Sequence, residues 1–147
     1  MIAPDSSVVI AALAPWHEAH HAARDALKAE KVGLPAHVAL ETTSALSRMP
    51  QGRRIAPSVV LKALERAFPK AWLTLAGDEQ RKALRKAVDA GVRGGALYDA
   101  LIAATAVRHD ADLLSADGRA RATYDAMGAR TRYLDIDAHR KLKPRAP

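Results

Sequence analysis

The chain has 147 residues, of which 49% are hydrophobic and 27% are charged, close to the averages for a globular protein. It contains no cysteine, so disulfides, thiolate metal sites and a cysteine nucleophile are excluded. Lysine and arginine outnumber aspartate and glutamate by 23 to 16, and the resulting net charge of +7 favours a polyanionic partner.

The length and the apolar pattern indicate one domain in a soluble protein. No apolar run approaches the ~20 residues that a membrane-spanning helix needs. The start of the chain, Met1–Asp5, lacks the positive segment of a secretory signal, so we expect a cytoplasmic protein. Residues 138–147 carry four Lys or Arg and two Pro, which predicts a basic flexible tail after a domain spanning residues 1–137.

Short apolar runs alternate with longer stretches in which apolar residues recur every three or four positions. The former predict buried strands and the latter predict helices. In chain order we expect strand Met1–Ala3, helices Val8–Leu13 and His17–Ala29, strand Val32–Pro35, helices Val38–Ser47 and Pro57–Phe68, strand Trp72–Leu75, helices Glu79–Ala90 and Ala96–His109, strand Asp112–Ser115, helix Arg119–Met127, and strand Arg130–Leu134. This alternation predicts a three-layer α/β/α domain with a mostly parallel sheet of about five short strands.

Two aspartates follow predicted strands. Asp5 comes directly after the first strand, and Asp117 lies two residues after the end of the Asp112–Ser115 strand. Ligands of open α/β sheets bind at the carboxyl ends of the strands, so both residues are candidates for a site. Each also precedes a helix, and helix capping alone could explain its presence.

Two further acids lie on the apolar faces of predicted helices. Glu41 shares a face with Val38 and Ala45, and Asp99 shares one with Ile102, Ala103 and Ala106. A buried carboxylate needs a cation, a metal or hydrogen bonds. The simpler explanations are an ion pair between Glu41 and Arg48, and stabilisation of Asp99 by the helix dipole.

The four acids could converge on one small volume, where their mutual repulsion would be strong. Bound Mg²⁺ or Mn²⁺ would relieve it, since these hard cations prefer oxygen ligands and keep water molecules. Such a site fits phosphodiester hydrolysis. We therefore predict Asp5, Glu41, Asp99 and Asp117 as catalytic residues.

Several segments resemble PIN-domain ribonucleases, specifically the VapC toxins of toxin–antitoxin pairs. The resemblance runs from Met1 to about Leu134. It depends on IAPDSSVVIAAL at the amino end, Glu41 within PAHVALETTSAL, LYDALIAATAVRHDADLLSAD in the second half, and Arg119-Ala120 after it.

This resemblance implies a Mg²⁺-dependent endoribonuclease, with Mn²⁺ as the possible alternative. By similarity, Asp5, Asp99 and Asp117 would hold the metal, Glu41 would position metal or water, and the hydroxyls of Ser7 and Ser115 would lie nearby. Ser115 replaces the commoner threonine and keeps the hydroxyl. The resemblance also implies a homodimer, a VapB-type antitoxin and structured RNA such as tRNA or rRNA as the substrate.

Two other readings stay open. The segment His17-Glu18-Ala19-His20-His21 matches the H-E-x-x-H pattern of zinc proteases, although no third ligand is apparent. Alternatively, the chain is a non-catalytic module that binds RNA or a partner through its basic residues. We expect Trp16 and Trp72 to serve packing rather than base stacking.

Overall fold

A computed structural model describes residues 1–136, so the predicted tail at residues 138–147 lies outside the described residues. The elements in chain order are β1 (Ile2–Pro4), α1 (Ser6–Leu13), α2 (His20–Ala29), α3 (Ala36–Ser47), α4 (Pro57–Ala67), α5 (Gly77–Asp89), α6 (Ala96–Arg108), β2 (Asp112–Ser115), a 3-10 turn (Gly118–Ala120), α7 (Arg121–Ala126) and β3 (Thr131–Tyr133). The seven predicted helices are confirmed, with ends that differ by at most three residues.

Within the described residues, the sheet has three strands in the order β1-β2-β3, all parallel. The prediction of about five strands is therefore wrong. Val32 forms a single parallel bridge with Ile2 at the β1 edge, and Pro35 forms one with Leu73, so the predicted strands Val32–Pro35 and Trp72–Leu75 are reduced to isolated bridges. Proline has no N–H to donate to a ladder, and Pro35 also directly precedes α3, which leaves no room for further pairing.

Neighbouring residues of a strand point to opposite faces of the sheet. Helices cover both of these faces. Ala3 and Leu113 belong to a large buried cluster built mainly with α3, α4 and α6. Ile2 and Leu114 belong to a second cluster built with α1 and α2. The predicted three-layer α/β/α fold class is confirmed.

The register of β1 and β2 places the residues that follow them side by side. Pro4 pairs with Leu114, and the backbone N–H of Asp5 donates to the carbonyl of Leu114 at 2.9 Å. The segments after both strands thus meet at the carboxyl edge of the sheet. No helix within residues 1–136 is long and apolar enough to cross a membrane.

Candidate active site

Asp5 lies between β1 and α1, where the chain turns from strand to helix. It is the N-cap of α1, and its Oδ1 accepts a hydrogen bond from the backbone N–H of Val8 at 3.2 Å. The capping explanation is therefore correct for the local role of this residue. Capping does not account for its burial, because only 2% of Asp5 is exposed and N-cap side chains normally lie at the surface.

Two hydroxyl groups hold the Asp5 carboxylate in place. The Ser7 hydroxyl donates to Oδ1, and the Tyr124 hydroxyl donates to Oδ2 at 2.8 Å. Burial raises the pKa of Asp5, while hydrogen bonds from Ser115, Ser7 and Tyr124 lower it in part. The carboxylate is fixed on both oxygens, so its orientation does not depend on a ligand.

Tyr124 is a site residue that the sequence did not reveal. Its side chain is only 1% exposed, and its periodic position in α7 is that of an ordinary core residue. Burial, and next the charge of Asp5, raise the pKa of its hydroxyl above the ordinary value. Tyr124 therefore remains protonated and acts as a hydrogen-bond donor to Asp5.

Ser7 and Ser115 connect the ends of β1 and β2. The Ser7 hydroxyl accepts from the backbone N–H of Ala116 at 2.8 Å while it donates to Asp5. The hydroxyl of Ser115, which is fully buried, accepts from the backbone N–H of Asp117 at 3.0 Å. The structure therefore places both predicted hydroxyls against the predicted acids.

Glu41 projects from the middle of α3, next to His37 one turn earlier. Its Oε1 lies 3.4 Å from His37 Nε2, but Oε2 is buried and has no hydrogen-bond partner in residues 1–136. His37 Nε2 is likewise buried without a hydrogen bond there, so the 3.4 Å pair is an electrostatic contact only. The predicted alternative partner, Arg48, donates instead to the carbonyl of Ser44.

Asp99, in the first turn of α6, is half-buried and responds to the other three acids. Its pKa rises to about 6, first because of burial and then because of the charges of Glu41, Asp5 and Asp117. Charges influence one another in this way only within a limited distance. The structure therefore brings together four acids that are far apart in the sequence.

Asp117 caps the 3-10 turn, and its Oδ1 accepts from the backbone N–H of Arg119 at 2.9 Å. The Arg119 guanidinium also donates to both oxygens of Asp117, which holds the pKa of this carboxyl below its usual range. The Arg119 side chain is 92% exposed, so it approaches from solvent and does not fill the space between the acids.

The donor set suits a hard divalent cation, although the acids are not already arranged around one. In residues 1–136, no three His, Asp or Glu side chains form a ready group for a metal ion. Asp5 is engaged with hydroxyl groups and Asp117 with Arg119. However, the buried, unpartnered Glu41 oxygen and the raised pKa of Asp99 both indicate negative charge that lacks compensation.

The rival zinc motif does not have the geometry it needs. Helix α2 begins at His20, whereas His17 lies in the preceding turn and accepts a hydrogen bond from the backbone of Ala19. The predicted helix start at His17 is therefore wrong, and His17 and His21 do not share one helix face. His20 itself contacts the carbonyl of Ala11 at 2.9 Å.

The two tryptophans lie in different environments. Trp72 packs against the large core cluster and donates to the carbonyl of Phe68 at 3.2 Å, in agreement with the packing prediction. Trp16 is 38% exposed, and the Arg53 guanidinium lies 5.0 Å from its ring centre. These contacts of the two rings do not involve the four acids.

Comparisons with known proteins identify the family. A family model described as PIN domain matches residues 2–126. Ribonuclease VapC40 of Mycobacterium tuberculosis (strain ATCC 25618 / H37Rv) is 43% identical over 127 residues, which cover 86% of this chain and 94% of that protein. Ribonuclease VapC27 of the same strain is 35% identical over 127 residues, covering 86% and 92%.

A solved structure supports the same fold. The crystal structure of FitAcB from Neisseria gonorrhoeae superposes with a TM-score of 0.65 at 18% identity, covering 92% of this chain and 98% of that chain. A likeness at this identity shows the fold alone, whereas the family rests on the sequence relatives. The resemblance noted from the sequence is confirmed: the chain belongs to the PIN-domain family, among the VapC ribonucleases.

Proposed function

We propose that the chain is an endoribonuclease that requires Mg²⁺ or Mn²⁺ and hydrolyses structured RNA such as tRNA or rRNA. The observation that carries this proposal is the electrostatic coupling of Asp99 to Glu41, Asp5 and Asp117. The names of the VapC relatives, both described as ribonucleases, support the type of reaction. The net charge of +7 favours a polyanionic substrate.

Asp5, Asp99 and Asp117 would hold the cation, and Glu41 would position the cation or a water molecule. When bound, the cation would neutralise charge on the phosphate and lower the pKa of a water molecule for attack on phosphorus. Oε2 of Glu41 is buried and has no hydrogen-bond partner within residues 1–136, so a cation or a water molecule would satisfy it.

The protein's own contribution is to hold these oxygens in position before the substrate arrives. Ser7 and Tyr124 fix both oxygens of Asp5, and Ser115 connects Asp5 with the backbone of Asp117. Arg119 offsets part of the charge of Asp117, which limits repulsion of an incoming phosphate. Positioning of this kind accelerates a reaction because little reorganisation remains to be done.

The proposal extends to partners and location, as expected for a VapC toxin. We propose that the chain acts in the cytoplasm as a homodimer and that a VapB-type antitoxin blocks the site. Support comes from the identity to VapC40 and VapC27 along 86% of the chain.

An RNA cleavage assay tests this function. The full chain is incubated with total tRNA or rRNA in Mg²⁺ or Mn²⁺, with EDTA in a parallel reaction. We expect cleavage that EDTA abolishes, that Asp99→Ala removes and that His17→Ala leaves intact. Uncleaved but retained RNA in both metals would favour the non-catalytic binding module, and bound metal that is lost in His17→Ala but kept in Asp99→Ala would favour a zinc protease.

A further inference from the structure

A groove beside Glu41 extends along α3. Its volume is about 500 Å³, within the range of small-ligand sites. Glu41 lines it, together with Ser6 and Tyr98. Ser6 directly follows Asp5 in the sequence, and Tyr98 directly precedes Asp99. The groove therefore lies beside the acid site and shares Glu41 with it. A polymer whose phosphodiester bond lies at the acids must pass a neighbouring unit through this space or along it.

A pair of stacked rings forms one wall of the groove. The rings of His37 and Tyr98 have centres 5.2 Å apart and planes inclined by 15°. Tyr98 is 55% exposed although it is a large ring, whereas the His37 side chain is 20% exposed. His37 thus backs the tyrosine and restricts its motion, while the rest of the tyrosine ring remains open to a ligand.

A cation lies further along the same groove. Arg48 follows Glu41 by about two helical turns, which corresponds to roughly 10 Å along α3. Its Nε donates to the carbonyl of Ser44 at 3.2 Å, which holds the guanidinium at the groove. Its terminal nitrogens have no partner in residues 1–136 and suit a phosphate.

We propose that this groove binds an RNA nucleotide next to the cleaved bond, with its base stacked on Tyr98 and a backbone phosphate in contact with Arg48. This inference rests on the proposed ribonuclease function and adds a binding site to it. Stacking on an exposed aromatic ring accepts any base, so the site supplies affinity rather than sequence choice. The groove also has apolar lining residues, among them Ile10 and the exposed Leu40, but it shares Glu41 with the acids and carries a cation, which favours RNA over a partner protein.

Steady-state cleavage of total tRNA in Mg²⁺ tests the proposal. Tyr98→Ala is expected to raise KM about ten-fold with little change in kcat, because base stacking is lost. Tyr98→Phe keeps the ring and should recover most of the affinity. Trp16→Ala removes another exposed aromatic ring, one that does not line the groove. It is the matched control and should leave KM unchanged. Arg48→Gln should raise KM and reduce the slope of log KM against log salt by about one.

The alternatives predict different results. If the ring pair serves only to join α3 to α6, Tyr98→Ala lowers the thermal midpoint and leaves KM unchanged, which overturns the proposal. A loss of self-association or of antitoxin binding with unchanged KM would assign the groove to a protein interface and overturn it as well. Failure of the unaltered protein to cleave RNA would instead remove the proposed function itself, before any Tyr98 variant is compared.

Discussion

Asp99→Asn is expected to lower RNA cleavage about a thousandfold while it makes the metal-free protein more stable. The loss of activity corresponds to about 4 kcal/mol of transition-state stabilisation, the scale of a disrupted metal site. The gain in stability follows because the asparagine keeps the shape of Asp99 and removes its charge. That charge is disfavoured by burial and by Glu41, Asp5 and Asp117.

The pH dependence of this gain follows from the sign of the shift. The pKa of Asp99 is about 6 in the folded chain and 3.8 in the unfolded reference, so the folded state binds the proton more tightly. Ionisation therefore reduces the free energy of unfolding as pH rises from about 4 to 6, and the reduction is complete above that range. Asp99→Asn should be no more stable than the unaltered chain near pH 4.

Urea unfolding in EDTA at pH 4 and pH 7.5 measures the difference. We expect about 1 kcal/mol in favour of Asp99→Asn at pH 7.5, after allowance for solvent screening of a half-buried group. A variant that is less stable at pH 7.5 than the unaltered chain would show that the Asp99 charge is compensated in the fold. The four acids would then not form one electrostatic cluster.

Removal of divalent metal is expected to abolish cleavage and to lower the thermal stability of the full chain together. A ligand that binds only the folded state stabilises it by about 2.7 kcal/mol at 100 times its dissociation constant. Mn²⁺ or Mg²⁺ should therefore raise the thermal midpoint of the unaltered chain, whereas Asp99→Asn should show little response. Differential scanning calorimetry over a series of metal concentrations measures the thermal midpoints of both proteins, and the RNA cleavage assay measures the loss of activity.

Metal binding should also release a proton near pH 6, because the cation competes with the proton held by Asp99. Titration calorimetry in buffers of different ionisation enthalpy would detect this release at pH 6, and it should diminish at pH 8. His17→Ala is the control, since His17 lies outside the acid cluster and should bind metal like the unaltered chain. Metal stabilisation that persists in Asp99→Asn but disappears in His17→Ala would contradict the proposed ligand set.

Periodicity predicted the helices well because their apolar faces are continuous. It predicted the start of α2 poorly. His17 accepts a hydrogen bond from Ala19 and its own N–H donates to Ala14, so local turns replace the first helical turn. The predicted strand Val32–Pro35 is missing for a similar reason, since Val32 and Pro35 each form one bridge before the chain turns into α3. The predicted strand Trp72–Leu75 is left with the single bridge of Leu73 to Pro35. Such local competition is not visible in an apolar pattern.

Two different features of the sequence select the four acids as candidates. Asp5 and Asp117 follow strands, and the rule for parallel sheets places such residues at one edge. Glu41 and Asp99 interrupt apolar helix faces, where a carboxylate is costly. Their partners were not predictable: Tyr124 donates to Asp5 across 119 sequence positions, and nothing in the α7 pattern distinguishes it from a core tyrosine. Only the assembled fold reveals that contact.

We propose that one divalent cation lies among the carboxylates of Asp5, Glu41, Asp99 and Asp117. Anomalous diffraction from crystals of the full chain soaked in Mn²⁺ tests it directly, because manganese is located independently of the protein model. We expect a peak among the four carboxylates, at about 2.0–2.2 Å from its oxygen ligands. A peak confined to the His17–His21 segment, or none at the acids in crystals soaked at saturating Mn²⁺, would show that the four acids do not form the metal site.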